Sequence, residues 1–458
     1  MRTEDMLIRF NVKNFLSFDS EDRATHDTSS QEFSMIPGKV RSKEDHILKT
    51  GKQNLLKFAA IYGANAAGKS NLIKAMAFFK NCTLNGTALP QDANLYCKTD
   101  PNNKDKTSYF EAEFIVNDEV YAYGFEIILS TGLFVSEWLC KLTPSKEEYL
   151  FKKEDAKHGY EFGGPLAKNE MLKVLVSSFY GSNGLFLNFI NRTMAGFYKT
   201  NPQAEVLRTA FNWIANNLDI NYPANPLSTS SFLANEEALC QASKLLKAFG
   251  TGIEDVKSVQ VPLEKVAPFF PPLWLQDVAK QMEMSNTPKN DIFIRDRNEI
   301  FVVKMERGKK DKAYSIQFKH NFQNATLFKM AEESDGTARL FDLLEILLSK
   351  SNKTYVIDEL DRCLHPCLSY QFVKAFFEYS KNRNVQLIVT THESRLMDFD
   401  LLRRDEIWFV DKDQSGASNI YSLEEYNERF DKKIDKAYLE GRYGGVPLFT
   451  SIFPIEEA

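Results

Sequence analysis

The segment GANAAGKS, residues 63–70, places two glycines, a lysine and a hydroxyl group in the pattern G-x-x-x-x-G-K-[ST]. A loop of this kind turns its backbone N–H groups towards phosphates at the start of a helix. Lys69 is then expected to pair with the outer phosphates, and the Ser70 hydroxyl to ligate Mg²⁺. We therefore predict a nucleoside triphosphate site with ATP and Mg²⁺ as cofactors. Its loop residues are Gly63, Asn65, Ala66, Ala67, Gly68, Lys69, Ser70 and Asn71.

Two adjacent carboxylates, Asp358 and Glu359, follow the apolar segment at 354–357. Where a strand ends the chain turns, so both side chains can face one crevice. We predict that Asp358 holds Mg²⁺ together with Ser70, and that Glu359 orients or deprotonates the attacking water. Considered alone, the pair also fits an ordinary surface turn.

Three further residues fit the same chemistry less specifically. His392 follows the apolar segment VQLIVTT and is predicted to donate a hydrogen bond to the charged γ-phosphate. Together with Glu359 and Lys69 it forms the predicted catalytic set. Ser334 suits the N-cap of the helix ARLFDLLEILL, and Gly336 leaves the backbone open to an anion. A structural histidine and an ordinary helix cap are the alternatives.

The elements that must position these residues alternate between strand and helix. Short apolar segments such as FAAIY, KTYVIDE, VQLIVTTHE and DEIWFVD predict strands, whereas EESDGTARLFDLLEILL and LSYQFVKAFFEYSK have the periodicity of helices. This alternation predicts an α/β fold with a mostly parallel core sheet. Period-two patterning from about 107 to 150 predicts an antiparallel β-subdomain beside it. We expect residues 1–165 and 291–458 to form the head, and 166–290 a mostly helical insertion.

Composition excludes several classes of protein. The 458 residues are 43% hydrophobic with a net charge of −5, which indicates a folded chain that is not basic throughout. Nucleic acid is possible only through a local patch such as 295–319, where a solvated hairpin tip is the alternative. The sequence contains no apolar run long enough for a bilayer, and its six scattered cysteines suit a reducing compartment. We expect a cytoplasmic protein without a membrane partner.

The order of these motifs resembles the ATPase heads of the ABC class, within it the branch of the SMC and RecF-like ATPases. The resemblance implies two heads that close on two ATP molecules as a homodimer or higher oligomer. It also implies that Ser334 and Gly336 contact ATP in trans, that Asp361 lies at the dimer seam, and that Glu359 is the hydrolytic base. The pentapeptide ESDGT keeps only the Ser-x-Gly core of the usual LSGGQ.

A closer resemblance covers nearly the whole chain. MLIRFNVKNFLSF, IYGANAAGKSNLIKAM, VIDELDRCLHPCL, TTHE and GRYGGVPLF are similar to the bacterial AAA15-type ATPases. These include the ATPase components of two-gene anti-phage systems such as RloA/AbiL and, more distantly, PARIS. Leu16 stands where the family motif NF-[RK]-SF has a basic residue, and Lys13 is a weak substitute.

This resemblance implies a function as a Mg²⁺-dependent ATPase. It further implies a role as a sensor or scaffold in anti-phage defence that regulates an effector protein encoded nearby, a nuclease or toxin. The alternative is a RecF- or SMC-like ATPase that engages DNA in repair. A nucleotide-independent toxin or nuclease disagrees with the intact phosphate loop.

Overall fold

A computed structural model describes residues 5–21, 30–155, 158–179, 181–194, 196–222, 227, 231–270, 278, 289–295, 299–309, 311–321, 326–426 and 434–444. The end of the segment GRYGGVPLF, from residue 445, lies outside them. The strands are β1 (Met6–Lys13), β2 (Gln31–Ser34), β3 (Ile47–Leu48), β4 (Leu55–Leu56), β5 (Phe58–Tyr62), β6 (Ser108–Val116), β7 (Glu119–Ile128), β8 (Leu133–Thr143), β9 (Lys146–Lys153), β10 (Glu161–Phe162), β11 (Leu218–Asn221), β12 (Ile253–Val261), β13 (Lys289–Arg295), β14 (Ile300–Glu306), β15 (Lys312–His320), β16 (Leu327–Phe328), β17 (Lys353–Ile357), β18 (Val385–Thr390), β19 (Ile407–Lys412) and β20 (Ser418–Ser422). The α-helices are Lys69–Asn85, Glu170–Phe179, Phe186–Thr193, Phe197–Thr200, Glu205–Asn212, Glu236–Ala248, Asp335–Leu348, Pro366–Ser380 and Ile434–Leu439.

The core sheet has the strand order β11-β17-β18-β5-β19-β20. All neighbours in it are parallel except β19 and β20. β5, β17 and β18 are buried along their whole length, which explains why they are continuous apolar segments rather than alternating ones. Because β17, β18 and β5 are adjacent and parallel, their carboxyl ends meet at one edge of the sheet.

A second sheet, β10-β9-β8-β7-β6-β1-β2, is antiparallel. Its apolar face packs on the helix Lys69–Asn85 through aromatic contacts. The Phe79 ring stacks on Phe125 at 5.8 Å, and the Phe78 ring lies 4.9 Å from that of Phe110. This packing positions the helix that begins at the phosphate loop. The predicted α/β fold class, with a mostly parallel core sheet and an antiparallel β-subdomain, is confirmed.

The chain divides into two compact units. Unit 1 comprises 1–222, 351–360 and 380–458, and contains both of these sheets. Unit 2 comprises 223–350 and 361–379, and contains the antiparallel sheet β12-β15-β14-β13. No helix in the described part of the chain is long and apolar enough to cross a membrane.

The segment 166–290, predicted as mostly helical, also contains strands. β11 lies at the edge of the core sheet and pairs with β17, and β12 pairs with β15. β11 is only four residues long and includes Asp219 and Asn221, so it lacks the apolar signal of a buried parallel strand. Its Asp219 is buried as an ion pair with Lys353, 3.1 Å away. The boundaries at 165 and 290 stay a prediction.

Candidate functional site

The phosphate loop connects β5 to the helix Lys69–Asn85, as its sequence predicts. Two of its residues have left-handed backbone, Ala66 with φ 63° and Gly68 with φ 122°. The Lys69 ammonium is buried and donates to the carbonyl oxygens of Gly63, at 2.7 Å, and Ala64, at 3.0 Å. Lys69 therefore lies along the inside of its own loop, where it can exchange these carbonyls for phosphate oxygens. Asn65 and Ala66 are exposed at the tip.

Two buried serines, Ser17 and Ser418, hold the phosphate loop through hydrogen bonds. The Ser418 hydroxyl donates to the carbonyl oxygen of Ala67 at 2.5 Å and lies 2.7 Å from the Ser17 hydroxyl. Ser17 in turn accepts a hydrogen bond from the Asn71 amide at 2.8 Å. A Cβ on Gly68 would lie 2.4 Å from the Ser418 Oγ, so the second glycine of the motif is required by this support as well as by its φ.

Asp358 and Ser70 are brought together across the sheet edge. The Ser70 hydroxyl donates to Asp358 Oδ1 at 3.1 Å, and the Thr390 hydroxyl donates to the same oxygen at 2.6 Å. Asp358 is buried at the end of β17. A carboxylate beside a serine hydroxyl is a donor set of hard oxygens that Mg²⁺ accepts. The residues present therefore fit the predicted metal, although their roles as ligands stay a prediction.

Glu359 occupies a strained turn. Its φ is 51°, in the left-handed region that costs a residue with a Cβ about 1–2 kcal/mol. The turn is fixed to β18, because the Glu359 N–H donates to Thr390 Oγ1 at 2.8 Å and the Leu360 N–H donates to the Thr390 carbonyl at 3.0 Å. Strain of this kind persists where surrounding structure imposes it, and is typical of functional sites. Thr390 thus orients both members of the carboxylate pair.

His392 is exposed and follows β18, the strand between β17 and β5. The chain beyond it is anchored, since Tyr62 at the end of β5 donates a hydrogen bond to the carbonyl of Glu393 at 3.5 Å. In unit 1, Lys69, Ser70, Asp358 and Glu359 therefore meet at the carboxyl edge of the core sheet, with His392 after the neighbouring strand.

The predicted signature residues lie in unit 2. The Ser334 hydroxyl accepts a hydrogen bond from the Thr337 N–H at 3.2 Å, so Ser334 is the N-cap of the helix Asp335–Leu348. A Cβ on Gly336 would lie 2.7 Å from the carbonyl oxygen of Cys363, two residues after Asp361. Gly336 thus permits a close approach inside unit 2, whatever role it has towards an anion. Asp361 is half-buried.

Sequence reasoning missed three residues at this site, Thr390, Ser17 and Ser418. Thr390 is within the segment TTHE, and Ser17 within NFLSF, so both stand inside motifs that carry the family resemblance. Ser418 had no signal, because only the fold places it beside residue 17. Leu16, which stands where the family motif NF-[RK]-SF has a basic residue, has a left-handed backbone with φ 52°. Its N–H donates to the Leu95 carbonyl at 2.6 Å.

The last helix in the described part of the chain, Ile434–Leu439, packs against the strand that leads into the loop. The Tyr438 ring lies 5.9 Å from that of Tyr62 and 5.8 Å from that of Phe409. Burial raises the pKa of Tyr438, and the backbone of Gly63 opposes that shift through a hydrogen bond. The segment GRYGGVPLF begins two residues after this helix, and its Tyr443 is buried against Phe409.

Comparison with known proteins gives one family. Residues 58–398 match the family described as "AAA domain, putative AbiEii toxin, Type IV TA system". No curated protein matches the chain.

The solved structures that are similar to this chain include three SMC heads, each at 15% identity. An Smc head bound to the C-terminal winged-helix domain of ScpA covers 92% of this chain and 98% of its own, with a TM-score of 0.42. The SMC head domain from Thermotoga maritima covers 91% and 98%, with a TM-score of 0.33. An Smc head with an extended coiled coil, bound to the C-terminal domain of ScpA derived from Pyrococcus furiosus, covers 96% and 100%, with a TM-score of 0.35.

Proposed function

The chain belongs to this family of AAA domains, ATP-binding P-loop ATPases, and we propose that it hydrolyses ATP with Mg²⁺ at the carboxyl edge of its core sheet. The observation that carries the proposal is the hydrogen bond between Ser70 and Asp358 at 3.1 Å, which joins the phosphate loop to a carboxylate 288 positions later. When bound, Mg²⁺ would supply charge neutralisation on the phosphates. Ser70 and Asp358 would hold it.

The other residues of the site take roles that follow from their positions. Lys69 would exchange its contacts with Gly63 and Ala64 for phosphate oxygens, and the loop N–H groups would bind the same anion. Glu359, held by Thr390, would accept a proton from the attacking water. His392 would donate a hydrogen bond to an oxygen of the γ-phosphate. Ser334, Gly336 and Asp361 of a second copy would complete the site in a head dimer.

At the level of the cell, we propose that this ATPase regulates a partner effector in anti-phage defence, as in the AAA15-type systems. The support is the family match, whose description names a toxin of a toxin–antitoxin system, together with the block resemblance in the sequence. Cytoplasmic location and an effector gene beside this one belong to the same proposal. A pull-down with the protein encoded by the neighbouring gene, with and without ATP, tests it; failure to recover that protein in either condition contradicts it.

The second candidate is a DNA-engaged ATPase of the RecF or SMC kind. The observation that favours it is the hairpin tip between β14 and β15, where Arg307, Lys309 and Lys312 are exposed. DNA binding that weakens steeply with salt, and that Arg307→Ala reduces, would support this candidate over the first.

The central experiment replaces Lys69 with alanine. Loss of the ammonium removes the cation that faces the outer phosphates, so we expect turnover to fall by about 10²-fold or more, as for loss of one transition-state donor. Lys74→Ala is the matched control, because Lys74 is exposed on the same helix. Phosphate release and calorimetric ATP binding are measured for both. Unchanged turnover in Lys69→Ala would remove the ATPase proposal.

A further inference from the structure

A groove of about 520 Å³ crosses the antiparallel sheet of unit 1. It lies on the face away from the aromatic core, because residues alternate along β6: Phe110 and Ala112 are buried, whereas Tyr109 and Glu111 line the groove. This volume is within the range of about 300–1,000 Å³ that ligand sites occupy. None of its lining residues belongs to the candidate ATP site.

The floor of the groove is an indole ring. Trp138 on β8 lies over Gly124 on β7, where an added Cβ would come within 2.4 Å of the ring. The ring nitrogen donates to Glu111 Oε2 at 2.7 Å, which fixes the orientation of the ring. The Tyr109 ring lies 5.3 Å from it, tilted by 31°, and Tyr149 on β9 is 42% exposed at the rim. The groove therefore presents preoriented aromatic faces.

Two carboxylates in the groove have only neutral partners among the described residues. Glu111 accepts from Trp138 and, at 3.4 Å, from the Asn11 amide. Glu126 accepts from the hydroxyls of Thr107, at 3.2 Å, and Ser136, at 2.8 Å. Burial raises the pKa of Glu111, and its neutral hydrogen-bond donors oppose the shift only in part. A desolvated carboxylate without a cation is costly, so a cation that enters the groove gains more here than on an open surface.

The positive side chains nearby are already engaged. Lys152 pairs with Glu154 and lies over the Tyr149 ring, and the Lys153 ammonium donates to the Phe134 carbonyl oxygen at 3.2 Å. Outside the lining, the Arg9 Nη1 lies 3.5 Å from Glu113. Glu147 adds a further carboxylate to the lining. The groove as a whole is thus complementary to a flat cation rather than to an anion or an apolar chain.

We propose that this groove binds an arginine side chain presented by a partner protein. A guanidinium is planar, stacks on aromatic rings and pairs with carboxylates through two parallel hydrogen bonds, whereas a lysine ammonium is a strongly hydrated point charge. Trp138 and Tyr149 supply the rings, and Glu111 supplies the nearest uncompensated carboxylate. The inference does not rest on ATP chemistry, because the groove is separate from the phosphate loop.

The experiment uses the full chain and three labelled peptides in fluorescence anisotropy. The probe is Gly-Arg-Gly-Arg-Gly-Arg-Gly; its lysine counterpart tests the preference for guanidinium, and its citrulline counterpart has nearly the same shape without charge. We expect the arginine peptide to bind most tightly and the citrulline peptide not to bind. The proposal would be overturned if the citrulline peptide bound as tightly as the arginine peptide. It would also be overturned if spermidine competed as well as unlabelled arginine peptide does, since either result would show that the groove does not select a guanidinium.

Three variants locate the binding. Glu111→Gln should raise the Kd of the arginine peptide about tenfold, as expected for loss of a partly buried ion-pair partner. Tyr149→Ala should also weaken binding, and this exposed position leaves the sheet core intact. Glu170→Gln, an exposed change of the same charge on another element, is the control and should have no effect. Wild-type affinity in both groove variants would place the peptide elsewhere and overturn the proposal, whatever the outcome of the ATPase tests.

Discussion

Ser418 supports the phosphate loop although it lies 351 positions after Ala67, whose carbonyl accepts its hydrogen bond. We expect Ser418→Ala to raise the Kd for ATP about tenfold, since one lost hydrogen bond of about 1–1.5 kcal/mol would let the loop relax before it binds phosphate. Calorimetric titration with ATP and Mg²⁺ measures this change.

The control for that prediction lies at the end of the same strand. Ser422 caps a short helix, and its hydroxyl accepts from the Glu424 N–H at 3.2 Å. Ser422→Ala should cost about 1 kcal/mol of stability through loss of the cap, yet leave ATP affinity unchanged. If both variants lose affinity in parallel with their stability, Ser418 has no specific role in the loop.

Glu359 combines strain with its predicted role as base, and glycine separates the two. Because the φ of Glu359 is 51°, glycine fits this position better than alanine does. The free energy of unfolding of Glu359→Gly should therefore exceed that of Glu359→Ala by about 1 kcal/mol, with a higher denaturant midpoint. Both variants should lose hydrolysis, because both lack the carboxylate. Chemical denaturation and phosphate release on the same samples test the pair; equal stability would show that the turn is not strained.

At the scale of elements, Glu137 connects β8 to the helix Phe186–Thr193. Its buried carboxylate accepts from the N–H groups of Phe186, at 2.7 Å, and Leu187, at 3.1 Å, as well as from the Tyr123 and Tyr160 hydroxyls. An amide cannot accept all four, so Glu137→Gln should lower the free energy of unfolding by about 1–3 kcal/mol.

The matched change for this prediction is Glu119→Gln. Glu119 forms an ion pair with Lys141 at 3.1 Å, and both side chains are about a third exposed. Loss of that pair should cost no more than about 1 kcal/mol. Similar denaturation midpoints for the two variants would show that Glu137 does not anchor the helix.

The sequence predicts the buried strands of the core sheet but not the pairings between distant segments. β5, β17, β18 and β19 are apolar runs buried in a parallel sheet, so their composition alone identifies them. The motif residues of the site follow from these strands. Pairings between distant segments do not: β1 pairs with β6, about 100 positions later, and Ser17 meets Ser418 only in the folded chain. Local sequence patterns do not specify contacts between segments that are distant in the chain.

In the whole molecule, the chain leaves unit 2 after residue 350 and returns to it at residue 361, so the predicted catalytic carboxylates lie in a short segment of unit 1. Residues 351–360, with Asp358 and Glu359, belong to unit 1, whereas the segments on either side, which contain Ser334, Gly336 and Asp361, belong to unit 2. Base and signature residues are thus close in sequence but belong to different units. A test of the head dimer must therefore separate what each copy contributes.

A mixture of two inactive variants makes that separation. Lys69→Ala damages the phosphate loop of its own copy, and Ser334→Arg adds bulk at an exposed helix cap of its own copy. If each ATP is completed in trans, a mixed dimer has one intact site, in which the phosphate loop comes from the Ser334→Arg copy and the cap from the Lys69→Ala copy. Random pairing of equal amounts should then restore roughly a quarter of wild-type turnover, because half of the dimers are mixed and each contains one working site of two. Light scattering with ATP verifies that dimers form. A mixture that dimerises and stays as inactive as its components would show that Ser334 does not act across the pair, because only a residue contributed by the other copy can be replaced by mixing.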